Sequence, residues 1–208
     1  AQRAGGGSPV LCIHGFCQSP AYWAPVLDRR AARGRAGPAA DLPGFGASAE
    51  LPGPFTMEAF ADALVHLLDA RGLARVALVG GSMGGVVAQH LVLRHPDRVA
   101  RLLLVATGAF AGDPAAGILR SELLATAPWD DGLARLITSG FFHRAMPPAW
   151  MQEARRIALA AARPAAVEAA RANALSNTFE GLAQIGVPVQ IIQGRHDAAR
   201  TPEHGAVM

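Results

Sequence analysis

Residues 76–94 read VALVGGSMGGVVAQHLVLR. Val76-Ala77-Leu78-Val79-Gly80 is a short apolar run of the kind that forms a buried strand. Val86 to about Arg94 reads as a helix, closed by His95-Pro96, because the residue before a proline is pushed out of the helical region. Between the two, Gly81-Ser82-Met83-Gly84-Gly85 is too short for a loop, so the chain must turn sharply from strand to helix. Such a corner forces Ser82 into a strained backbone conformation. Glycine at Gly80 and Gly84 lets neighbouring main chain come close. The Ser82 hydroxyl is thereby exposed at the C-terminal end of its strand, and the Met83 N–H opens the helix.

Outward from this corner the same alternation repeats. Pro9 to His14 (PVLCIH) is a buried strand that stops at Gly15. Ser19 to Gly34 is a helix with Trp23, Leu27 and Ala31 four apart, Ser19 as N-cap and Gly34 as stop. Arg35 to Asp41 (RAGPAAD) sits where an alternating fold wants a strand. Pro38 and the lack of β-branched residues make it a poor one. Leu42-Pro43-Gly44-Phe45-Gly46 is a loop. Thr56 caps a helix whose face carries Phe60, Leu64, Leu67 and Leu68, ending near Gly72. Arg101 to Val105 and Val187 to Gln193 (VPVQIIQ) are further buried strands. Apolar strands separated by helices predict an α/β fold: a mostly parallel sheet with helices on both faces.

Residues 108–177 break the rhythm. Four helical segments, Ile118–Thr126, Leu133–Phe142, Ala149–Ala162 and Pro164–Leu175, follow one another with no strand between. The predicted organisation is a core over residues 1–107, a helical lid over 108–178, and the core continued over 179–208.

The chain has 208 residues, enough for one domain with an insertion and for a core that needs no staple. Only 17% of residues are charged and 51% are hydrophobic, which argues against disorder. The net charge of +3 comes entirely from arginine as the basic residue, and the arginines are dispersed among acids. That pattern excludes a nucleic-acid-binding stripe. No apolar run approaches the roughly 18–20 residues that span a bilayer, and AQRAGGGSP at the start lacks a signal peptide's apolar stretch. Cys12 and Cys17 can build neither a disulfide framework nor a four-cysteine zinc site. They read as reduced thiols, and the chain as cytoplasmic.

Three stretches carry chemistry. The first is the G-x-S-x-G corner, where the Met83 N–H can stabilise an oxyanion formed beside Ser82. The second is His14-Gly15-Phe16, whose turn either aims the Phe16 N–H at the same point or is an ordinary turn holding a satisfied histidine. The third is Gly194-Arg195-His196-Asp197. Asp197 either orients a catalytic imidazole or is a solvent-facing turn residue.

In order along the chain, HGF, DLPGFGAS (residues 41–48), GGSMGG (80–85) and GRHD (194–197) resemble the alpha/beta-hydrolase superfamily. VVAQHLVLRHPDRVARLLLVAT (86–107) resembles it too. The likeness is nearest to small bacterial esterases, enol-lactonases, carbon–carbon bond hydrolases and cofactor-free haloperoxidases. It implies Ser82 as nucleophile, Asp197 as triad acid, and Phe16 and Met83 as backbone oxyanion donors, with His14, Gly15, Gly80 and Gly84 supporting the turns. It further implies a small ester or lactone substrate cleaved through an acyl-enzyme, with no metal, no organic cofactor, and no nucleic-acid or membrane partner. Carbon–carbon cleavage, perhydrolysis or a non-catalytic ligand-binding role stand as alternatives. Serine at the corner argues against dehalogenases and epoxide hydrolases, which place Asp there.

The family order is Ser, acid, His, with the histidine in a loop after one more strand. Asp197 stands eleven residues before Met208, so that histidine is expected beyond Met208. Of the histidines present, His14 belongs to the oxyanion turn. His66, His90 and His95 belong to helices or their ends, His143 to the lid, His196 is adjacent to the acid, and His204 opens a short helix. Asp113 is a second candidate acid, less favoured because it lies eight residues past its strand. Trp129, Phe141, Phe142, Met146, Trp150 and Met151 either line a substrate pocket or, as the preferred reading, pack the lid helices together.

Overall fold

The computed structural model describes residues 9–33 and 37–208. Its centre is a five-stranded, wholly parallel sheet in the order β2-β1-β3-β4-β5. The strands are β1 (Val10–Ile13), β2 (Ala39–Ala40), β3 (Val76–Gly81), β4 (Val99–Val105) and β5 (Val189–Ile192). β1 is buried along its whole length, and β3 alternates fully and partly buried residues. Leu11, Ile13, Leu78, Leu102 and Leu104 from three strands meet Phe45, Phe60, Leu68, Met83 and Leu91 in one continuous core. No helix among the described residues is long and apolar enough to cross a membrane.

The weak strand predicted near Pro38 shrinks to β2, two residues that pair with Cys12 and Ile13. Pro38 has no N–H to donate, yet its carbonyl still accepts from Cys12 N–H at 3.0 Å. Gly34, expected as a helix stop, lies outside the described residues, as do Arg35 and Ala36. The Ser19 cap forms, its hydroxyl accepting from Ala21 N–H, but it opens a 3-10 helix (Pro20–Trp23) before α1 (Ala24–Ala31). α2 (Met57–Ala70) has Thr56 as its cap, Oγ1 accepting from Ala59 N–H at 3.2 Å. α3 (Met83–Arg94) begins three residues before the predicted Val86, because the corner itself supplies its first turn.

β5 corrects one expectation. It forms where predicted but is not buried: Val189 is 45% and Ile192 49% exposed. It ends the sheet order, with β4 its sole ladder partner among the described residues.

Between β4 and β5 lie α4 (Pro114–Thr126), α5 (Asp131–Thr138), α6 (Pro148–Leu159) and α7 (Arg163–Leu175). α5 stops at Thr138 rather than at Phe142. α7 turns a stripe of alanines inward, Ala165, Ala166, Ala169, Ala170 and Ala174. A Cβ on Gly117 of α4 would fall 2.2 Å from the Ala174 Cβ, so these helices touch almost backbone to backbone. Arg163 closes the C-terminus of α4 by donating to the carbonyls of Leu124, Ala125 and Ala127 at 2.9, 2.8 and 2.6 Å. A cation at that end also meets the negative end of the helix dipole. The helical segment is docked on the loop after β2. Ala162 N–H donates to Gly44 O at 2.8 Å, and Glu168 Oε1 accepts from Phe55 N–H at 2.9 Å.

Candidate active site

The parallel register brings the C-terminal ends of β1, β3 and β4 to one edge: Ile13 lies beside Gly80, and Gly81 beside Val105. Among the described residues, three non-glycines have positive φ: Cys17 at 49°, Ser82 at 50° and Ala106 at 49°. Each follows the end of one of those strands. Among the described residues, positive-φ strain on non-glycines is therefore collected at this edge, as at functional sites generally.

Ser82 is the N-cap of α3, with φ 50° and ψ −120°, and its side chain makes no capping hydrogen bond. Its backbone is tied down on both sides. Ser82 N–H donates to Val105 O at 2.9 Å, and its carbonyl accepts from the Thr107 hydroxyl at 2.8 Å and from Gly85 N–H at 2.9 Å. The flanking glycines are required by space. A Cβ on Gly80 would come within 2.4 Å of Gly84 O, and one on Gly84 within 2.4 Å of His14 O and 2.5 Å of Ile13 O. The His14-Gly15-Phe16 turn thus lies directly against the first turn of α3. Among the described residues, neither Phe16 N–H nor Met83 N–H has a hydrogen-bond acceptor.

His14 is completely buried and fully satisfied. Its Nε2 accepts from Leu42 N–H at 3.0 Å, which leaves the ring proton on Nδ1, 2.8 Å from Gly15 O. Burial holds its pKa below the usual 6.5, so the ring is neutral and packs edge-on against Phe45. It joins the turn after β1 to the loop after β2 and has no free nitrogen for proton transfer. Gly15 is held in turn by Gln18, whose Oε1 accepts its N–H at 3.0 Å. Burial pushes the Cys12 thiol up to about 11 and the Cys17 thiol further still, so neither is a thiolate nucleophile. Both are free.

Asp197 lies past the end of β5, at the same sheet edge, and is half-buried. Its Oδ1 accepts from Ala199 N–H at 2.9 Å and Arg200 N–H at 2.8 Å, so one carboxylate oxygen builds the turn. Asp113 is instead the N-cap of α4, accepting from Ala115 and Ala116 N–H. No histidine among the described residues is hydrogen-bonded to Ser82 or to Asp197. His95 bonds Asp62, His204 meets Thr201, and His196 stacks on His143 with ring centroids 4.3 Å apart.

Two residues that the sequence did not single out hold this edge together. Thr107 supports the Ser82 carbonyl. Gln89, fully buried, donates to Gly85 O and Gly108 O at 3.2 and 3.1 Å and accepts from the Thr178 hydroxyl at 2.7 Å. Gln89 thereby links α3, the exit of β4 and the end of the helical segment. A polar residue four positions after Gly85 on a helix otherwise apolar there was the available signal.

The aromatic residues of the helical segment divide. Trp129 donates to Leu159 O at 3.1 Å and stacks under Arg163, which is packing. Phe141 meets Tyr22 edge-on at 6.2 Å, facing the turn after β1. Trp150, Tyr22, Ala21 and Ile157 line an apolar cleft of about 210 Å³ between the 3-10 helix and α6. A second cleft, of about 380 Å³, shares Ala21 and Ile157 and adds Ser19, Asp41 and Arg156.

A family model described as the alpha/beta hydrolase fold matches residues 8–164. The pimeloyl-[acyl-carrier protein] methyl ester esterase of Aliivibrio salmonicida is 30% identical over 206 residues, covering 94% of this chain and 77% of that one. The enzyme of the same name from Chromobacterium violaceum is 41% identical over 106 residues, a match that spans 51% of this chain and only 39% of the relative. The enol-lactonase from Burkholderia xenovorans LB400 superposes with a TM-score of 0.86 at 26% identity, covering 97% of this chain and 78% of that structure.

Proposed function

Because the chain belongs to the alpha/beta hydrolase fold family, we propose that it is the core of a serine hydrolase that cleaves a small ester or lactone. The observation that carries this reading is the conformation of Ser82, φ 50° and ψ −120°, held between glycines that have no room for a side chain. A free hydroxyl on a strained corner, beside two N–H groups without acceptors, is the arrangement acyl transfer needs.

In the proposed reaction, Ser82 Oγ attacks the carbonyl carbon while its proton passes to an imidazole. The carbonyl oxygen becomes an oxyanion and accepts from Phe16 and Met83 N–H. Collapse of this intermediate expels the alcohol, which takes the proton from the imidazole. Water then cleaves the acyl-enzyme by the same steps. Asp197 orients the imidazole through the carboxylate oxygen not used in its turn. His14, His90, His95 and His204 are hydrogen-bonded to other groups, and His143 and His196 stack on each other; in this reading the imidazole comes from sequence following Met208. Residues 108–178 act as the lid, and the clefts beside Trp150 and Asp41 are its openings toward the substrate. A cytoplasmic location belongs to the same reading, supported by two unpaired thiols. The names of the relatives support esters and lactones as the substrate class.

Hydrolysis of p-nitrophenyl acetate by the parent enzyme tests the assignment. Ser82→Ala should abolish turnover, and undiminished turnover would overturn it. Residues 1–208 alone should show no Ser82-dependent turnover; strong turnover would mean that one of the seven histidines is the base after all.

A further inference from the structure

A second hydroxyl–imidazole–carboxylate series lies outside the site described above. His90 is on α3, eight residues after Ser82, so about 12 Å further along the helix at 1.5 Å per residue. Its Nε2 is 2.8 Å from the Ser176 Oγ, and its Nδ1 is 3.5 Å from Glu58 Oε1. Three different segments supply the three groups: Ser176 follows the C-terminus of α7, His90 belongs to α3, and Glu58 to the first turn of α2.

The order of the groups matters. The Glu58 carboxylate, an ionic contact rather than a hydrogen bond at 3.5 Å, favours the ring proton on Nδ1 by its charge, which leaves Nε2 bare. The bare nitrogen accepts the Ser176 O–H, which is the tautomer a general base requires. Burial lowers the His90 pKa below the usual 6.5, so the ring is neutral and ready to accept a proton at neutral pH. The imidazolium that would form stands beside the C-terminus of α7, where the helix dipole favours positive charge. Ser176 itself is half-buried, and the Glu58 side chain is 49% exposed, so the series opens toward solvent.

We propose that Ser176 is a second nucleophile of this protein, activated by His90 and Glu58, and that it takes acyl or phosphonyl groups from donors with good leaving groups. The class is restricted for a physical reason. The end of a helix that Ser176 follows exposes carbonyls and not N–H groups. An oxyanion there lacks the stabilisation available beside Ser82, so the leaving group must depart readily. With a fluorophosphonate, the Ser176 oxygen forms the bond to phosphorus and the P–F bond breaks. Fluoride departs with the bonding pair, and the hydroxyl proton passes to His90 Nε2.

The test is fluorophosphonate labelling of the Ser82→Ala protein, followed by proteolysis and mass mapping. The expected result is an adduct on the Ser176 peptide, formed about 100-fold more slowly once His90→Gln is added, the lower end of what a general base contributes. Ser139 is an exposed hydroxyl bonded only to Leu136 O, and it should stay unlabelled. Failure to label Ser176 in protein whose circular dichroism is that of the wild type would overturn the proposal. So would labelling no faster than at Ser139, or a rate unchanged by His90→Gln. Should His90→Gln not fold, Glu58→Gln is the second variant, with a several-fold slower rate expected and an unchanged rate counting against the proposal. Because the Ser82 and Ser176 adducts fall in different peptides, this result is separable from the fate of the Ser82 assignment.

Discussion

The Thr107 hydroxyl donates to the Ser82 carbonyl at 2.8 Å, across the two strands whose ends define the site. Thr107 is fully buried, and its Cγ2 lies where a Cβ on Gly85 would have to be. The bond fixes the corner from the β4 side, while Gly85 N–H holds the same carbonyl from the α3 side.

Thr107→Val keeps the shape and removes the donor. The Ser82 carbonyl retains its backbone partner, so the cost should be that of one neutral hydrogen bond, about 1 kcal/mol. For a chain of this size that lowers the melting temperature by about 2–4 °C. On the proposed reading, ester turnover should fall with it, since the corner loses one of its fixed points. An unchanged melting curve would show that the bond carries no stability.

The glycines around Ser82 differ sharply from an open one such as Gly140. Gly80→Ala and Gly84→Ala each place a methyl within 2.4 Å of a backbone oxygen, which cannot rotate away. Overpacking of this kind costs about 1–3 kcal/mol, and backbone contacts belong at the upper end. Gly140, exposed and with nothing within 4 Å of where a Cβ would stand, is the control. Gly140→Ala should be neutral or stabilise by up to about 1 kcal/mol through the unfolded chain. Urea unfolding of the three variants measures the ordering, and equal midpoints would contradict it.

Ser82 itself should be a site where stability and activity part. Its backbone, φ 50° with ψ −120°, costs a non-glycine residue about 1–3 kcal/mol. Ser82→Ala keeps that strain and Ser82→Gly releases it, less the entropy that glycine adds to the unfolded state. The glycine variant should therefore melt about 2–4 °C above the alanine variant, while both lack ester turnover. A glycine variant that melts below the alanine variant would mean that the corner is not strained.

These relationships divide by how far apart in sequence their causes lie. The strand, the corner and the helix from Val76 to Arg94 are adjacent, and so are Thr56 and its helix; periodicity and capping suffice to read them. The four helices between β4 and β5 are likewise visible as unbroken helical patterns. The exposure of Val189 and Ile192 was not legible, because VPVQIIQ has the composition of a buried strand and only the sheet order puts it at an edge. Thr107 was missed because its role depends on β3 and β4 lying side by side. His90 and Ser176 are 86 positions apart, and no spacing rule joins them. His14 was legible as a residue of the turn, but its second partner, Leu42, comes from a different loop.

His14 also sets a pH dependence. The folded state keeps this ring neutral by burial, with its pKa below 6.5, whereas in the unfolded chain it titrates near 6.5. Below that pH the unfolded state binds a proton that the folded state refuses. Stability is therefore complete above about pH 7 and is lost as pH falls from 6.5 toward the folded pKa. The slope is at most about 1.4 kcal/mol per pH unit for one such group. His90 is shifted in the same direction by its own burial and adds to the slope. The Asp62 carboxylate, held low mainly by its hydrogen bond to Arg94, is shifted below its usual 3.8 and acts only at more acidic pH. The window between pH 7 and 5 thus belongs to the histidines. Urea unfolding across it should give a falling midpoint for the wild type and a flatter line for His14→Gln. That variant should also be less stable throughout, because the ring's edge-on packing against Phe45 is lost. A wild-type midpoint constant from pH 7 to 5 would mean that His14 accepts a proton without leaving its place between Gly15 and Leu42.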